Sequence, residues 1–164
     1  MGAESKRFLK VADEVWIATA LLHRENPQAE DFGVEEIERR AEREALAGRL
    51  RASFHIHVAQ HCVANRPPHP ARHRMLFETC PGRRRLYRDG DAQHPGRKRG
   101  KVTPDRLEMP YGYNGLLDWY GEWRLAAPNS AAQSDLFLAL RRATVPFAAR
   151  KAPVKTIRRM GRKK

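Results

Sequence analysis

The hydrophobic pattern of the chain changes its period once, at the proline-rich link RPPHPARHR (66–74). Before this link, apolar residues recur every three or four positions, which is the period of an amphipathic helix. After it come two short extended runs, RMLFETC and RRRLYR, which Pro81 and Gly82 separate as in a β-hairpin. This change of period predicts a mainly α fold with a small β-hairpin, of the α+β class.

The first helix is expected to begin near Ser5, a candidate N-cap, and to end near Asn26, because Pro27 follows. Its apolar positions recur at helical spacing and are Phe8, Val11, Ala12, Val15, Trp16, Thr19 and Leu22. This spacing predicts a helix with one buried face.

Two further helices are expected before the link. The segment FGVEEIERRAEREALAG (32–48) has Glu35 and Glu36 in its first turn, where the helix dipole favours carboxylates, and Gly48 is expected to end it. The segment RLRASFHIHVAQHCVAN (49–65) predicts a third helix, whose buried face is formed by Phe54, Val58 and Cys62.

The C-terminal half is expected to hold less regular structure. Residues 89–104 are rich in glycine, proline and lysine and predict a loop, whereas LLDWYGEWRL (116–125) predicts a short helix that docks on the domain. SDLFLALRRATV (134–145) predicts a final helix. The expected division is a helix and hairpin domain over 1–104, a docking extension over 105–126, a linker with a helix over 127–147, and a flexible basic tail over 148–164.

Positive charge is concentrated in two blocks of the chain. The formal net charge is +13, but residues 1–48 carry seven basic and eleven acidic residues. Residues 49–106 carry fourteen basic and four acidic residues, and residues 136–164 carry ten basic residues and no acidic one. Charge that served only solubility would be mixed along the chain, so this segregation favours a polyanionic partner.

The sequence predicts a soluble, cytoplasmic protein. No run of 18 apolar residues occurs, and the N-terminus MGAESKRFLK lacks the apolar core of a signal peptide. Two cysteines, Cys62 and Cys80, are too few for a disulfide framework and are expected to be reduced thiols. The oligomeric state stays open.

The order of three helices and a hairpin resembles a winged helix-turn-helix, in which the third helix enters the major groove and the hairpin is the wing. The chain resembles an uncharacterised prokaryotic winged-helix family, found as small proteins and appended to restriction and modification enzymes, through Phe54, His57, Cys62, Val63, Asn65, Gly82 and Leu86. The segment 103–123 is similar to a C-terminal extension of stand-alone members, so the resemblance covers about 11–124. It implies a DNA-binding fold. Family members commonly have Ser or Thr at the position of Gly33, so weaker capping is expected here.

Five histidines between residues 55 and 73 leave a metal site open as an alternative. His57 and His61 have the i, i+4 spacing of two helical ligands, and His69, His73 and Cys80 would complete a zinc shell. The simpler interpretation makes His57 a boundary residue bonded to backbone and Cys62 a small core residue. No acidic motif or nucleophile with a base supports catalysis, so neither enzymatic activity nor a cofactor is expected.

The sequence therefore predicts a small duplex-DNA-binding regulator. Gln60 suits adenine and Arg51 suits guanine or phosphate, while the arginines of the hairpin would contact the phosphate backbone or a minor groove. The predicted contact residues are Arg49, Arg51, Ser53, Gln60, Arg66, Arg83, Arg84, Arg85, Arg97 and Lys98. Two alternatives stay open: a basic protein that binds RNA or the ribosome, and an adaptor that binds an acidic protein.

Overall fold

The helices and the hairpin follow one another in the order that the sequence predicts. The computed structural model describes residues 9–125, which form α-helices around a small antiparallel sheet, so the α+β class is confirmed. The regular elements are α1 (Val11–Glu25), β1 (Phe32–Gly33), α2 (Val34–Glu44), α3 (Phe54–Ile56), β2 (Leu76–Cys80), β3 (Arg83–Leu86) and α4 (Asn114–Leu125). A π-helical stretch, His57–His61, continues α3 and is called the π segment; a 3-10 turn covers Pro95–Arg97.

Helix α1 lies at the centre of the fold. Every residue from 12 to 23 is buried, because α2, α3 with the π segment, β3 and α4 all pack against it. The prediction of one buried face is therefore wrong. Its two buried acids have basic partners: Asp13 lies 3.1 Å from Lys101 Nζ, and Glu14 accepts hydrogen bonds from Arg51. Pairing of this kind is needed to keep a buried carboxylate ionised.

The hairpin is confirmed, and it belongs to a larger sheet. β2 and β3 pair antiparallel, with Glu78 opposite Arg84, and Gly82 takes a φ of 78° in the turn between them. The short strand β1, which the sequence did not predict, pairs with the other edge of β3. The strand order is β1-β3-β2, so β3 is the central strand.

Helix α2 begins after Gly33, whose N–H donates to the carboxylate of Glu36 over 2.6 Å. Glycine has no side chain to return this bond, so only the Glu36 half of a capping box is present, in agreement with the expected weaker cap. The helix ends at Glu44, earlier than predicted. Ala45 takes a left-handed φ of 50°, and Gly48 follows with a φ of 81°.

The third helix is much shorter than the predicted 49–65. Residues 62–64 leave the helix because they pair with β2: the carbonyl of Cys62 accepts from the N–H groups of Met75 and Leu76, and Ala64 N–H donates to Leu76. The pairing bends the chain away from the helix axis. Cys62 itself is fully buried, as predicted, and burial raises the pKa of its thiol.

Helix α4 packs onto α1 through aromatic contacts. The rings of Trp16 and Tyr120 meet edge to face at 5.5 Å, and Tyr120 O–H donates to the carbonyl of Tyr87. Leu116 is buried in the same core. The extension expected over 105–126 thus docks on the domain through the same core as α1, which Met109 also joins.

The expected start of the first helix near Ser5 is wrong, because α1 begins at Val11 and the backbone of Lys10 before it is extended. The helix over 134–145, the linker and the basic tail over 148–164 lie outside the described residues. Among residues 9–125, no helix has the length and apolar character that crossing a bilayer requires.

His23 is a buried histidine at the contact of α1 with the sheet and α4. Its Nε2 accepts the N–H of Leu86 over 3.3 Å, and its ring lies 4.8 Å from those of Phe32 and Trp123. Burial, together with the guanidinium groups nearby, lowers the pKa of His23 to about 3. The ring is therefore neutral in the folded protein at physiological pH.

Substitution of His23 by glutamine is expected to reduce the pH dependence of stability. The unfolded chain protonates His23 near pH 6.5, whereas the folded chain keeps it neutral down to about pH 3. The contribution of neutral His23 to the free energy of unfolding is thus fully present above pH 6.5, and it decreases below that pH, by about 2 kcal/mol at pH 5. Glutamine accepts the N–H of Leu86 without titrating. Between pH 8 and pH 5, the free energy of urea unfolding should therefore fall by about 2 kcal/mol less in the variant than in the wild type. Equal falls in both proteins would contradict this role.

Candidate nucleic-acid interface

The three arginines of β3 bind partners within the protein. Arg83 bonds to the carboxylate of Asp31, Arg84 is only 2% exposed, and Arg85 is 6% exposed and donates twice to Asp91 over 2.6 Å. The prediction that they face a phosphate backbone is therefore wrong for Arg84 and Arg85. The π segment covers Arg84 and the loop that carries Asp91 covers Arg85, so neither guanidinium is open to a phosphate.

Arg84 connects β3 to the π segment. Its guanidinium donates to the carbonyls of Val58 over 3.2 Å and Ala59 over 3.1 Å, and to the carboxylate of Glu78 over 2.9 Å. Glu78 also accepts two hydrogen bonds from Arg66, at 2.6 and 2.7 Å. These bonds from Arg66, with the charge of Arg84, lower the pKa of Glu78 and keep it ionised.

Arg97 is fully buried, and all five of its N–H groups have carbonyl acceptors. The bond lengths lie between 2.6 and 3.0 Å, and the acceptors belong to Gln60, His61, Arg66, Pro67 and His73. Burial lowers the pKa of Arg97, because the charge has left water. The carbonyl dipoles replace that water. The predicted nucleic-acid contact at Arg97 is therefore wrong, since no part of the side chain reaches the surface.

Arg51 and Arg66 also have internal partners. Arg51 donates to Glu14 over 3.0 and 2.7 Å and to the carbonyl of Leu9 over 2.7 Å, so it holds the start of α1 rather than extending towards a base. Arg66 is committed to Glu78, although its side chain stays 38% exposed. A contact of either with nucleic acid would compete with a buried or half-buried carboxylate.

The remaining predicted residues lie at or near the surface. Arg49, Ser53 and Lys98 are exposed, whereas Gln60 is half-buried and gives its backbone carbonyl to Arg97. On α3, Ile56 is 39% exposed beside Ser53. The outward side of α3 is thus polar and apolar rather than cationic.

Two loops carry the predicted contact residue Lys98 and two exposed cations that the sequence analysis missed, Arg72 and Arg99. A Cβ on Gly100 would stand 1.6 Å from the carbonyl oxygen of Arg72, so only glycine permits this contact, and Arg74 N–H donates to the carbonyl of Lys101 over 2.7 Å. The backbone of Arg72 on one loop therefore packs against Gly100, which directly follows the exposed pair of cations on the other loop, Lys98 and Arg99. A sequence signal existed: 66–74 and 94–101 contain no acidic residue that could pair with their cations.

Histidines border these loops. The rings of His57 and His61 are 4.7 Å apart, and His57 Nδ1 lies 2.8 Å from the carbonyl oxygen of Ser53, which confirms the predicted backbone bond. Burial, then the charges of His57 and His69, lowers the pKa of His61. We call the surface around the loops the two-loop face; its residues are His57, His61, His69, Arg72, His73, Lys98 and Arg99.

The histidines do not form a metal cluster. Within residues 9–125, no three His, Cys, Asp or Glu side chains are grouped so that they could hold a metal ion. Cys80, one of the candidate ligands, lies in the hairpin, where its neighbours are β3 residues.

A groove of about 640 Å³ lies between α2, α3 and the hairpin. Its lining mixes charges of both signs, with Arg39, His55 and Arg66 alongside Glu35 and Glu36. An extended polyanion would meet carboxylates there, so the two-loop face suits such a partner better than this groove.

Comparison with known proteins identifies no relative. No family model, no curated protein and no solved structure matches the chain. The resemblance to the winged-helix family therefore stays an expectation.

Replacement of Arg97 by glutamine is expected to destabilise the fold by on the order of 4 kcal/mol, because several buried carbonyls lose their donors. Arg99→Gln is the matched control, because it removes the same charge from an exposed position two residues along the chain. Its effect on the free energy of unfolding should stay within about 0.5 kcal/mol. Urea unfolding followed by circular dichroism measures both. Similar costs for the two variants would show that the five carbonyl bonds of Arg97 contribute little.

Proposed function

We propose that the protein is a winged helix-turn-helix protein that binds duplex DNA and acts as a small regulator. The observation that carries this proposal is the order of its elements: α2 and α3 precede a hairpin, and the strands are arranged β1-β3-β2 around it. This is the order expected of a helix-turn-helix with a wing. The resemblance of residues 11–124 to a winged-helix family agrees with it.

The charge of the chain supports a phosphate-rich partner. Residues 9–125 hold 20 basic and 17 acidic residues, so most of the net charge of +13 comes from the residues outside that range. Many basic side chains in the described part are paired with carboxylates, including those of Arg40, Arg51, Arg66 and Arg85. The two-loop face is where exposed cations come together. It is therefore the part of this domain best suited to phosphate contacts.

In this proposal, α3 supplies base contacts and the two-loop face supplies phosphate contacts. Ser53 and Ile56 are exposed on α3, and an apolar side chain such as isoleucine can contact a thymine methyl in the major groove. The major groove of A-form RNA is too narrow for a helix. Duplex DNA is therefore the preferred partner, and duplex RNA is the comparison that distinguishes the alternative.

The variant Lys98→Ala/Arg99→Ala is expected to weaken binding to duplex DNA of any sequence and to lower the salt slope by about 2 units, because two phosphate contacts are lost. The matched control is Arg24→Ala/Arg43→Ala, which removes two exposed cations at the C-terminal ends of α1 and α2. Asp13 contacts Lys101 in one of the two loops, and Arg24 lies eleven residues further along α1, at a distance of about 16 Å from Asp13. Loss of Arg24 should therefore change the slope little. Fluorescence anisotropy over a series of salt concentrations measures the slopes.

Three results would count against the proposal. Equal slopes for the two double variants would remove the two-loop face from the interface. Equal affinity for duplex RNA and duplex DNA at matched salt would favour the RNA-binding alternative. The absence of salt-dependent binding to either nucleic acid would contradict the proposed function as a whole.

A further inference from the structure

The histidines of the two-loop face are held close to its cations by the backbone. Arg97 fixes the two loops against the π segment, because its guanidinium donates to the carbonyl of His61 over 2.8 Å and to that of His73 over 2.6 Å. His57 lies against His61, with ring centroids 4.7 Å apart. His69 is exposed, and its charge acts on His61. Arg72 directly precedes His73, and Lys98 and Arg99 directly follow Arg97, so the bonds of Arg97 hold the loops that carry these cations beside the loop and the π segment that carry the imidazoles.

Protonation of neighbouring histidines is unfavourable while the face is empty. Two imidazolium rings as close as those of His57 and His61 repel one another, and Arg97 adds a positive charge beneath them. A phosphate group at the face supplies the opposite charge. It stabilises each imidazolium and accepts from the ring N–H that protonation adds, which in His57 is on Nε2 because Nδ1 already faces the carbonyl of Ser53.

We infer that the two-loop face takes up protons on its histidines when it binds a phosphate backbone, so that affinity increases as the pH falls from about 7.5 to about 5.5. This inference rests on the proposed function, since it concerns the same surface and partner. It adds a regulation: the local proton concentration sets how tightly the protein holds nucleic acid.

Other charged groups that face these histidines act in both directions. Asp13 from α1 favours the protonated form of His73, whereas Lys101, His57 and Arg97 oppose it, and burial opposes it most of all. Asp13 is already paired with Lys101 at 3.1 Å, which reduces its effect. His61 and His73 therefore have lowered pKa values and take up protons readily only when an anion is bound.

The experiment measures binding of a labelled 20-base-pair duplex of mixed sequence at pH 7.5 and 5.5, at one ionic strength, to the full chain. Uptake of about one extra proton by the complex across these two pH units makes the wild type bind about a hundredfold more tightly at pH 5.5. The variant His57→Gln/His61→Gln should lose most of this increase. The control His55→Gln, which removes an exposed histidine of α3 that lies 2.7 Å from Glu38, should keep it. Melting temperatures verify that each protein is folded at both pH values.

A second measurement does not depend on any variant. Calorimetric titration of the wild type with the duplex at pH 6, in two buffers of different ionisation enthalpy, should show uptake of about one proton for each complex formed. Salt-sensitive binding that is equally tight at both pH values, without proton uptake, would overturn the inference and leave the proposed function in place. A pH dependence that His57→Gln/His61→Gln retains would also overturn it. The absence of duplex binding at both pH values would overturn both proposals.

Discussion

The carbonyl groups at the end of the third helix need hydrogen-bond donors inside the protein, and the rest of the structure depends on how they are supplied. The carbonyls of residues 58–61 accept from two buried guanidinium groups, those of Arg84 and Arg97. The last carbonyls of any helix lack helical partners and carry a partial negative charge, which stabilises a cation. Because Arg84 comes from the central strand and Arg97 from the 3-10 turn, these bonds join the sheet and both loops to one helix end.

This use of arginine changes which charges remain for a partner. Several arginines here meet a carboxylate or a carbonyl of the protein, as Arg85 does with Asp91 and Arg51 does with Glu14. Three cations of the proline- and glycine-rich loops, Arg72, Lys98 and Arg99, have no acidic residue nearby in the sequence and are exposed. The basic character that the composition indicates therefore divides into a structural part, which stabilises the fold, and a surface part, which is open to phosphate.

The residues that carry the family resemblance act in folding. Phe54, Cys62 and Leu86 are buried, and Gly82 adopts the left-handed φ of the hairpin turn. The side-chain amide of Asn65 makes two hydrogen bonds to the backbone of Glu78: it accepts from the N–H over 3.0 Å and donates to the carbonyl over 2.9 Å. A pattern built from such residues describes a fold and leaves the exposed surface free to vary, so the partner has to be argued from the exposed side chains.

The sequence by itself determined the order of helices and hairpin, the end of α1 before Pro27, and the docking of the aromatic helix α4, because local periodicity and proline act over a few residues. Only the tertiary structure decided the rest. The third helix stops early since residues 62–64 pair with a strand that follows them by more than ten residues. Arg84 and Arg97 are internal because distant carbonyls accept their N–H groups, and a guanidinium has the same charge in the sequence whether its partner is protein or phosphate.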